Sequence, residues 1–354
     1  MSAEKRAWEV VRRAYEDRPP RPRRPRRRLV LIPAIAVLAA VISPPGRAVF
    51  EQVREAVGVQ HADPALFALP TSGRLLVVSA EHGGVWLVHD DGFKRRIGSF
   101  DDAQWSPHGR FIVATKRDEL VALDADGHER WSLARRDPLW PRWEGTDTDT
   151  RIAYFAASGL RVVAGDGTGD RLVDAHAGDV PAAWSPARLH TLAYYSGGAI
   201  VVRDVDSGRT LRRTPISVVP AELAWSDDGR VLAVMSARRV LLLGGRSIPV
   251  IGAVVDIAFR PGTHSLALSE RQGGRSRIEL VSGATRKLLF AGPGAFGDVA
   301  WSPDGAWLLV TWPTADQWLF LHGARVRAVG NIEEQFPRAD GQGPLLELGG
   351  RWSR

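Results

Sequence analysis

The chain has no cysteine in 354 residues. That excludes a disulfide framework, a thiolate-ligated metal and a thiol nucleophile. Other chemical signatures are missing too. The nine histidines form no H-x-x-E-H or H-x-H pair, and no G-x-S-x-G elbow or P-loop follows a strand. Gly165-Asp166-Gly167-Thr168-Gly169 is Gly-rich but has no following helix to present to a phosphate, so it is expected to be a loop. Asp147-Thr148-Asp149 and Asp124-Ala125-Asp126-Gly127 lack the later bidentate Glu of a calcium loop, and are expected to be turns. No cofactor or metal site is expected, and no catalysis. Net charge is lacking over most of the chain. Of 47 basic and 40 acidic residues, residues 1–28 hold eleven and four, which leaves 36 of each in the rest. A neutral body argues against a nucleic-acid-binding propeller, which would need a basic stripe of its own.

What is present is a repeated phrase. Trp105-Ser106-Pro107-His108-Gly109-Arg110 recurs as Trp184-Ser185-Pro186, as Trp225-Ser226-Asp227-Asp228-Gly229-Arg230, as Phe259-Arg260-Pro261-Gly262 and as Trp301-Ser302-Pro303-Asp304-Gly305. Weaker copies lie at Leu69-Pro70-Thr71-Ser72-Gly73-Arg74 and around Trp143. Short apolar runs separated by Gly, Asp and Pro fill the spaces between copies, the pattern of an all-β chain. The aligned positions Leu69, Trp105, Trp143, Trp184, Trp225, Phe259 and Trp301 are 34 to 42 residues apart. A propeller blade of four strands takes about 40 residues.

One unit shows the expected order. Ala182–Trp184 is an inner strand, Thr191–Tyr195 the second, Ala199–Asp204 the third and Arg209–Arg213 the outer one. The Trp packs between blades, and the Pro-x-Gly turns the chain back. Seven copies predict a seven-bladed β-propeller, with six or eight blades as alternatives. It spans residues 61–336. Gln335–Gly341 is a faint eighth copy, and within the closing segment 337–354 the stretch Leu345–Leu348 is expected to latch the ring beside the first blade.

W-S-P-D-G before an apolar strand resembles the repeat of TolB-type and related WD40-like propellers. Val201–Gly208 is similar to the end of a WD40 blade. The resemblance implies a propeller fold and carries no ligand. The recurrent Gly-His of WD40 repeats is absent, and Arg203-Asp204 stands where Trp-Asp is usual.

The amino-terminal region has a different character. Leu29 to Ile42 is uncharged and apolar, and Arg26, Arg27 and Arg28 precede it. Its fourteen residues fall short of the usual span of about 20, but snorkelling arginines lengthen it. Residues 29–43 are therefore expected to form a single transmembrane helix. Arginines on one side only place residues 1–28 in the cytoplasm and the propeller outside the cell membrane. Trp8, Val11 and Tyr15 share one face of a short amphipathic helix that contacts lipid or a cytoplasmic partner. Residues 44–60 form a juxtamembrane helix and linker.

Two aromatic and basic groups are candidate ligand-binding residues. Arg135, Arg136, Trp140 and Arg142 lie on the connection between the second and third blades, and Trp312 and Trp318 in the last blade. The expected function is a membrane-anchored, non-catalytic binding or scaffold module for a protein or envelope ligand. The alternatives are a propeller hydrolase or lyase with a channel-face site, and a transmembrane sensor signalling through the amino-terminal helix.

Overall fold

The computed structural model describes residues 68–79, 84–244 and 246–336, and the backbone of 348–353. The amino-terminal segment, with Trp8, Val11, Tyr15, Arg26, Arg27, Arg28 and the apolar run, lies outside the described residues. Among those described, no helix is long and apolar enough to cross a membrane.

Twenty-eight strands pair into seven antiparallel sheets of four. Blade 1 contains β1 (Arg74–Ser79), β2 (Gly84–His89) and β3 (Lys94–Gly98). Blade 2 runs from β4 (Asp102–Trp105) through β5 (Phe111–Lys116) and β6 (Glu119–Asp124) to β7 (Glu129–Ala134). Blade 3 comprises β8 (Leu139–Gly145), β9 (Thr150–Ala156), β10 (Gly159–Ala164) and β11 (Arg171–Asp174). Blade 4 comprises β12 (Ala183–Trp184), β13 (Thr191–Ser196), β14 (Ala199–Asp204) and β15 (Thr210–Pro215). Blade 5 has β16 (Glu222–Trp225), β17 (Leu232–Ser236), β18 (Arg239–Leu242) and β19 (Arg246–Ile248). Blade 6 has β20 (Ala253–Phe259), β21 (Leu266–Gln272), β22 (Arg275–Ser282) and β23 (Thr285–Pro293). Blade 7 has β24 (Val299–Trp301), β25 (Leu308–Trp312), β26 (Gln317–His322) and β27 (Arg325–Gly330). The last strand, β28 (Leu348–Ser353), returns to pair with β1 as the inner strand of blade 1. The inner strands touch in ring order and β28 meets both β24 and β4, so the ring is closed. The fold is a seven-bladed β-propeller.

Closure splits the repeated phrase between the two ends of the propeller. In six blades the aligned aromatic faces a fixed register position on the next strand, as in Trp105↔Ile112, Trp225↔Leu232 and Trp301↔Leu308. In blade 1 that pair is Trp352↔Leu75. Trp352-Ser353 is thus the opening of the seventh copy, and Ser72-Gly73-Arg74 its continuation. Leu69, expected to start the first blade, is not in its inner strand. It is buried in the core between blades 7 and 1. Among the described residues the latching strand is Leu348–Ser353, which shares Leu348 with the expected stretch Leu345–Leu348. Of the faint eighth copy only Gln335 and Phe336 are among the described residues: Gln335 ends a short helix, α1 (Ile332–Gln335), and Phe336 stacks on Trp318 with ring centroids 5.1 Å apart.

Every blade interface among the described residues has its own apolar cluster. The cause is strand alternation: side chains on one strand point by turns to the preceding and the following blade. In β5, Ile112 and Ala114 pack on blade 1, while Val113 packs on blade 3. The aromatic of the phrase packs on the preceding blade, and three indoles also donate across the interface. Trp184, Trp225 and Trp301 bond the carbonyls of Arg142, Ala183 and Ala258 at 2.7, 3.2 and 3.2 Å. Each acceptor is the residue just before the aligned aromatic of the preceding blade.

The rest of the phrase builds the turn. The Ser hydroxyl accepts the N–H of the residue five positions on, at or just before the start of the next strand, at 3.0 Å in Ser106–Phe111 and Ser226–Val231 and 2.9 Å in Ser302–Trp307. Gly229 sits at φ 64°, and a Cβ there would lie 2.5 Å from that of Ala187, so the position needs glycine.

Candidate functional site

Antiparallel order fixes two faces. The phrase turns and the third-to-fourth hairpins lie on one, the turn face. The second-to-third turns and the connections between blades lie on the other, the connection face.

The outer strands carry a second repeat that the sequence pattern concealed. One register position is occupied by Arg95, Trp131, Arg171, Arg212, Arg246, Lys287 and Arg327 in blades 1 to 7. Six are cations. Several reach the third-to-fourth hairpin of the next blade: Arg95 meets Asp126 at 3.3 Å, Arg171 pairs with Asp206, and Arg246 donates to the carbonyl of Gly283. Trp131 does the same through its indole N–H, 2.9 Å from the Gly165 carbonyl. A Cβ on Gly167 would come 2.9 Å from the Trp131 ring. The glycine loop 165–169 is therefore a hairpin pressed onto an indole, which explains its composition without a phosphate.

At this seam, where the cation is replaced by an indole, a cavity of about 510 Å³ opens between blades 2 and 3 on the turn face. Its apolar floor is Trp131, Phe111 and Trp143. Phe111 is 38 % exposed and stacks on Trp143, 6.1 Å between centroids and 14° between planes. Its rim is charged. Arg110 pairs with Asp147, and His108 is 3.5 Å from the same carboxylate. Arg151 holds Asp149 at 2.6 Å and Asp206 at 2.7 Å. Arg130 is exposed and has no partner among the described residues. The stretch Asp147-Thr148-Asp149 is the expected turn, closed by the Thr146 N–H on the Asp149 carbonyl at 2.9 Å.

His190 stands behind this rim at φ 57°. Its Nδ1 is 2.9 Å from Asp206 and its Nε2 3.2 Å from Asp149, while its backbone N–H donates to Glu144 at 3.0 Å. Burial pushes the Glu144 carboxyl up, against the pull of that N–H and of His190 and Arg151. His190 thus stands between carboxylates of blades 3 and 4, and its buried Nε2 makes no hydrogen bond. It offers no ring nitrogen turned toward a substrate.

The sequence-derived candidates lie elsewhere. Arg135 donates to Asp170 at 2.9 Å through Nε, and Arg161 and Tyr154 hold the same carboxylate. Burial alone would raise the Asp170 carboxyl, but the bonds from Arg161, Tyr154 and Arg135 outweigh it and hold it below the ordinary range. Burial, then that hydrogen bond, pushes the Tyr154 hydroxyl up to about 12. Arg142 lies 3.6 Å from Asp102. Trp140 packs edge-on against Phe155, and Arg136 is exposed beside Asp137. Trp312 packs among Phe290 and Phe296, and Trp318 stacks on Phe336; both indoles are buried. Arg135, Trp140 and Arg142 therefore join blades, and Trp312 and Trp318 fill the core around blade 7. Only Arg136 projects freely from the connection face. The groove residues Phe111, Arg130 and Trp131 were not singled out in the sequence. Their signal is the outer-strand register, which appears only once the blades are superposed strand by strand.

No family model matches the chain, and no curated protein matches it in sequence. Solved structures do match in fold. One, described as the mitotic checkpoint complex, is 13 % identical, with a TM-score of 0.53 over 74 % of this chain and 93 % of that one. A Bacteroides uniformis protein provisionally named 6-phosphogluconolactonase is 13 % identical, with a TM-score of 0.54 over 79 % and 100 %. The Cps50 (Swd1) β-propeller domain of Myceliophteria thermophila is 13 % identical, with a TM-score of 0.51 over 64 % and 83 %. These likenesses are to WD40-like and lactonase-like propellers. At such identity they are likenesses of fold alone.

Proposed function

We propose that this chain is a membrane-held, non-catalytic binding propeller whose groove between blades 2 and 3 takes a segment of another protein. The observation that carries the reading is the departure of Trp131 from the cation found at the same register in the six other blades. The cavity beside that indole has an aromatic floor and a rim of both charges. Such a combination suits an extended peptide, whose side chains bury on the rings while its polar groups meet Arg110, Arg130 and Asp149. The groups around the groove are positioned for recognition: the rim carboxylates are held by arginines, and His190 stands behind them between two carboxylates. The membrane location rests on the sequence, on Leu29–Ile42 and the arginines before it.

The test is Trp131→Arg, which restores the residue type of the other blades and replaces the aromatic floor with a guanidinium able to donate to the Gly165 carbonyl as the indole does. A photo-crosslinking amino acid at position 111 of the full-length protein is expected to trap a protein partner in cells. The adduct should disappear when Trp131→Arg is added. An adduct indifferent to Trp131→Arg, or hydrolysis of a substrate that depends on the groove residues, overturns the proposal. Protease accessibility on intact and permeabilised cells tests the topology separately; a propeller cleaved only after permeabilisation contradicts it.

A further inference from the structure

The connection face of blades 5 and 6 carries a different surface. Arg238 and Arg239 lie at the second-to-third turn of blade 5, and Arg271 and Arg275 flank that of blade 6. All four are exposed, and none has an acidic partner among the described residues. Two aliphatic side chains stand beside them on the blade connections, Val219 at 70 % and Ile251 at 51 % exposure. Hydrogen bonds and register bring these segments together. The Ala221 N–H bonds the Met235 carbonyl at 2.7 Å, and the Val254 N–H bonds the Ala237 carbonyl at 2.8 Å. Ala253 pairs with Arg271, and Gln272 with Arg275. Gly252, next to Ile251, lies so close to the Arg271 backbone that a Cβ would be 2.1 Å from its carbonyl oxygen. The nearby carboxylates do not neutralise the patch. Glu270 is buried and held by Arg286, while Glu222 and Asp256 face each other across the inner strands.

We infer that this patch is a docking surface for an acidic segment of a second protein that carries aliphatic side chains. Four unpaired guanidiniums are complementary to carboxylates, which they bind in bidentate fashion. Val219 and Ile251 supply the dry contact that a purely ionic surface lacks. An anionic membrane is the less fitting occupant. The patch has none of the aromatic side chains that settle at a lipid interface. It is separate from the groove between blades 2 and 3, so it adds a second partner surface to the scaffold.

The probe is a short fluorescein-labelled peptide of alternating Glu and Leu, read by anisotropy with the full-length protein in neutral detergent. Exchanging Arg238, Arg239, Arg271 and Arg275 for Gln is expected to weaken binding roughly tenfold or more and to flatten its salt dependence. Val219→Ser with Ile251→Ser should weaken it several-fold, leaving the salt dependence unchanged. Trp131→Arg should leave it unaltered, which separates this surface from the groove. Unchanged thermal melting guards against misfolding; if the fourfold variant melts early, the single Gln variants give the same comparison. Peptide affinity indifferent to the arginines overturns the proposal. So does binding that the four arginines confer only on phosphatidylcholine–phosphatidylglycerol vesicles.

Discussion

Replacing Asp170 by Asn tests how blades 2 and 3 are joined at their outer strands. The carboxylate is 5 % exposed and accepts from Tyr154 at 2.6 Å, from Arg135 Nε at 2.9 Å and from Arg161 Nε at 3.1 Å. Asn keeps the shape and one acceptor oxygen but removes the charge that two guanidiniums share. Breaking a buried ion pair costs about 3–5 kcal/mol when the remaining charge is sealed from water. Here the Arg135 and Arg161 side chains are 32 % and 17 % exposed and regain some hydration, which places the expected loss near about 3 kcal/mol. Urea unfolding of the full-length protein measures it. Tyr154→Phe removes only the hydroxyl and should cost about 1 kcal/mol in the wild type. In the Asn background that cost should largely vanish, because the acceptor charge is gone. The pH dependence carries a second signature. The Asp170 carboxyl titrates lower in the folded state than in the unfolded chain. Its contribution is therefore fully present above the unfolded value of about 3.9 and is lost as pH falls through the depressed folded value. The gap between wild type and Asp170→Asn should be constant above about pH 5 and close in stronger acid. Additive effects of the two substitutions, or a gap that widens in acid, refute the reasoning.

Three further outcomes are expected. Trp184→Phe keeps the ring but leaves the Arg142 carbonyl without its donor, and should lower stability by about 1–3 kcal/mol, seen as an earlier thermal midpoint. Deleting 348–354 removes the inner strand of blade 1 and exposes the edge of β1; hydrogen exchange should then show lost protection in β1 and β2 and a less cooperative melt. At the junction of blades 5 and 6, burial and then the neighbouring Glu222 push the Asp256 carboxyl well up, so its contribution is present below the unfolded pKa and lost as pH rises through the folded one. Glu222→Gln should flatten the fall of melting temperature between weak acid and neutral pH; an unchanged profile contradicts the pairing.

Much of the ring was legible in the sequence because its signals are local. Ser226 and Gly229 make a turn with the residues beside them, so W-S-D-D-G-R predicts that turn wherever it occurs. The strand order of blade 4 follows equally from Gly and Asp punctuation, and each expected strand there is present within two residues. The first blade was misread because its aromatic is Trp352, at the far end of the chain, with Leu69 imitating the start of a copy. The groove escaped notice for a related reason. Trp131 is unusual only by comparison with Arg95, Arg171 and Arg246, and that comparison needs the register of outer strands whose hairpins differ in length.

What the sequence determined by itself is therefore the repeat: the blade length, the turns and the aromatic that packs between blades. These depend on contacts within a strand or its neighbour, which composition and spacing record directly. Tertiary structure alone decided how the ring closes, with one phrase divided between Trp352 and Gly73. It also decided what becomes of individual side chains: Arg135 is held by Asp170, Trp312 and Trp318 are buried, and Phe111 and Trp131 floor a cavity. Whether an arginine or a tryptophan is available to a ligand depends on what a different blade brings against it. That partner is set by closure of the ring, which no local pattern encodes.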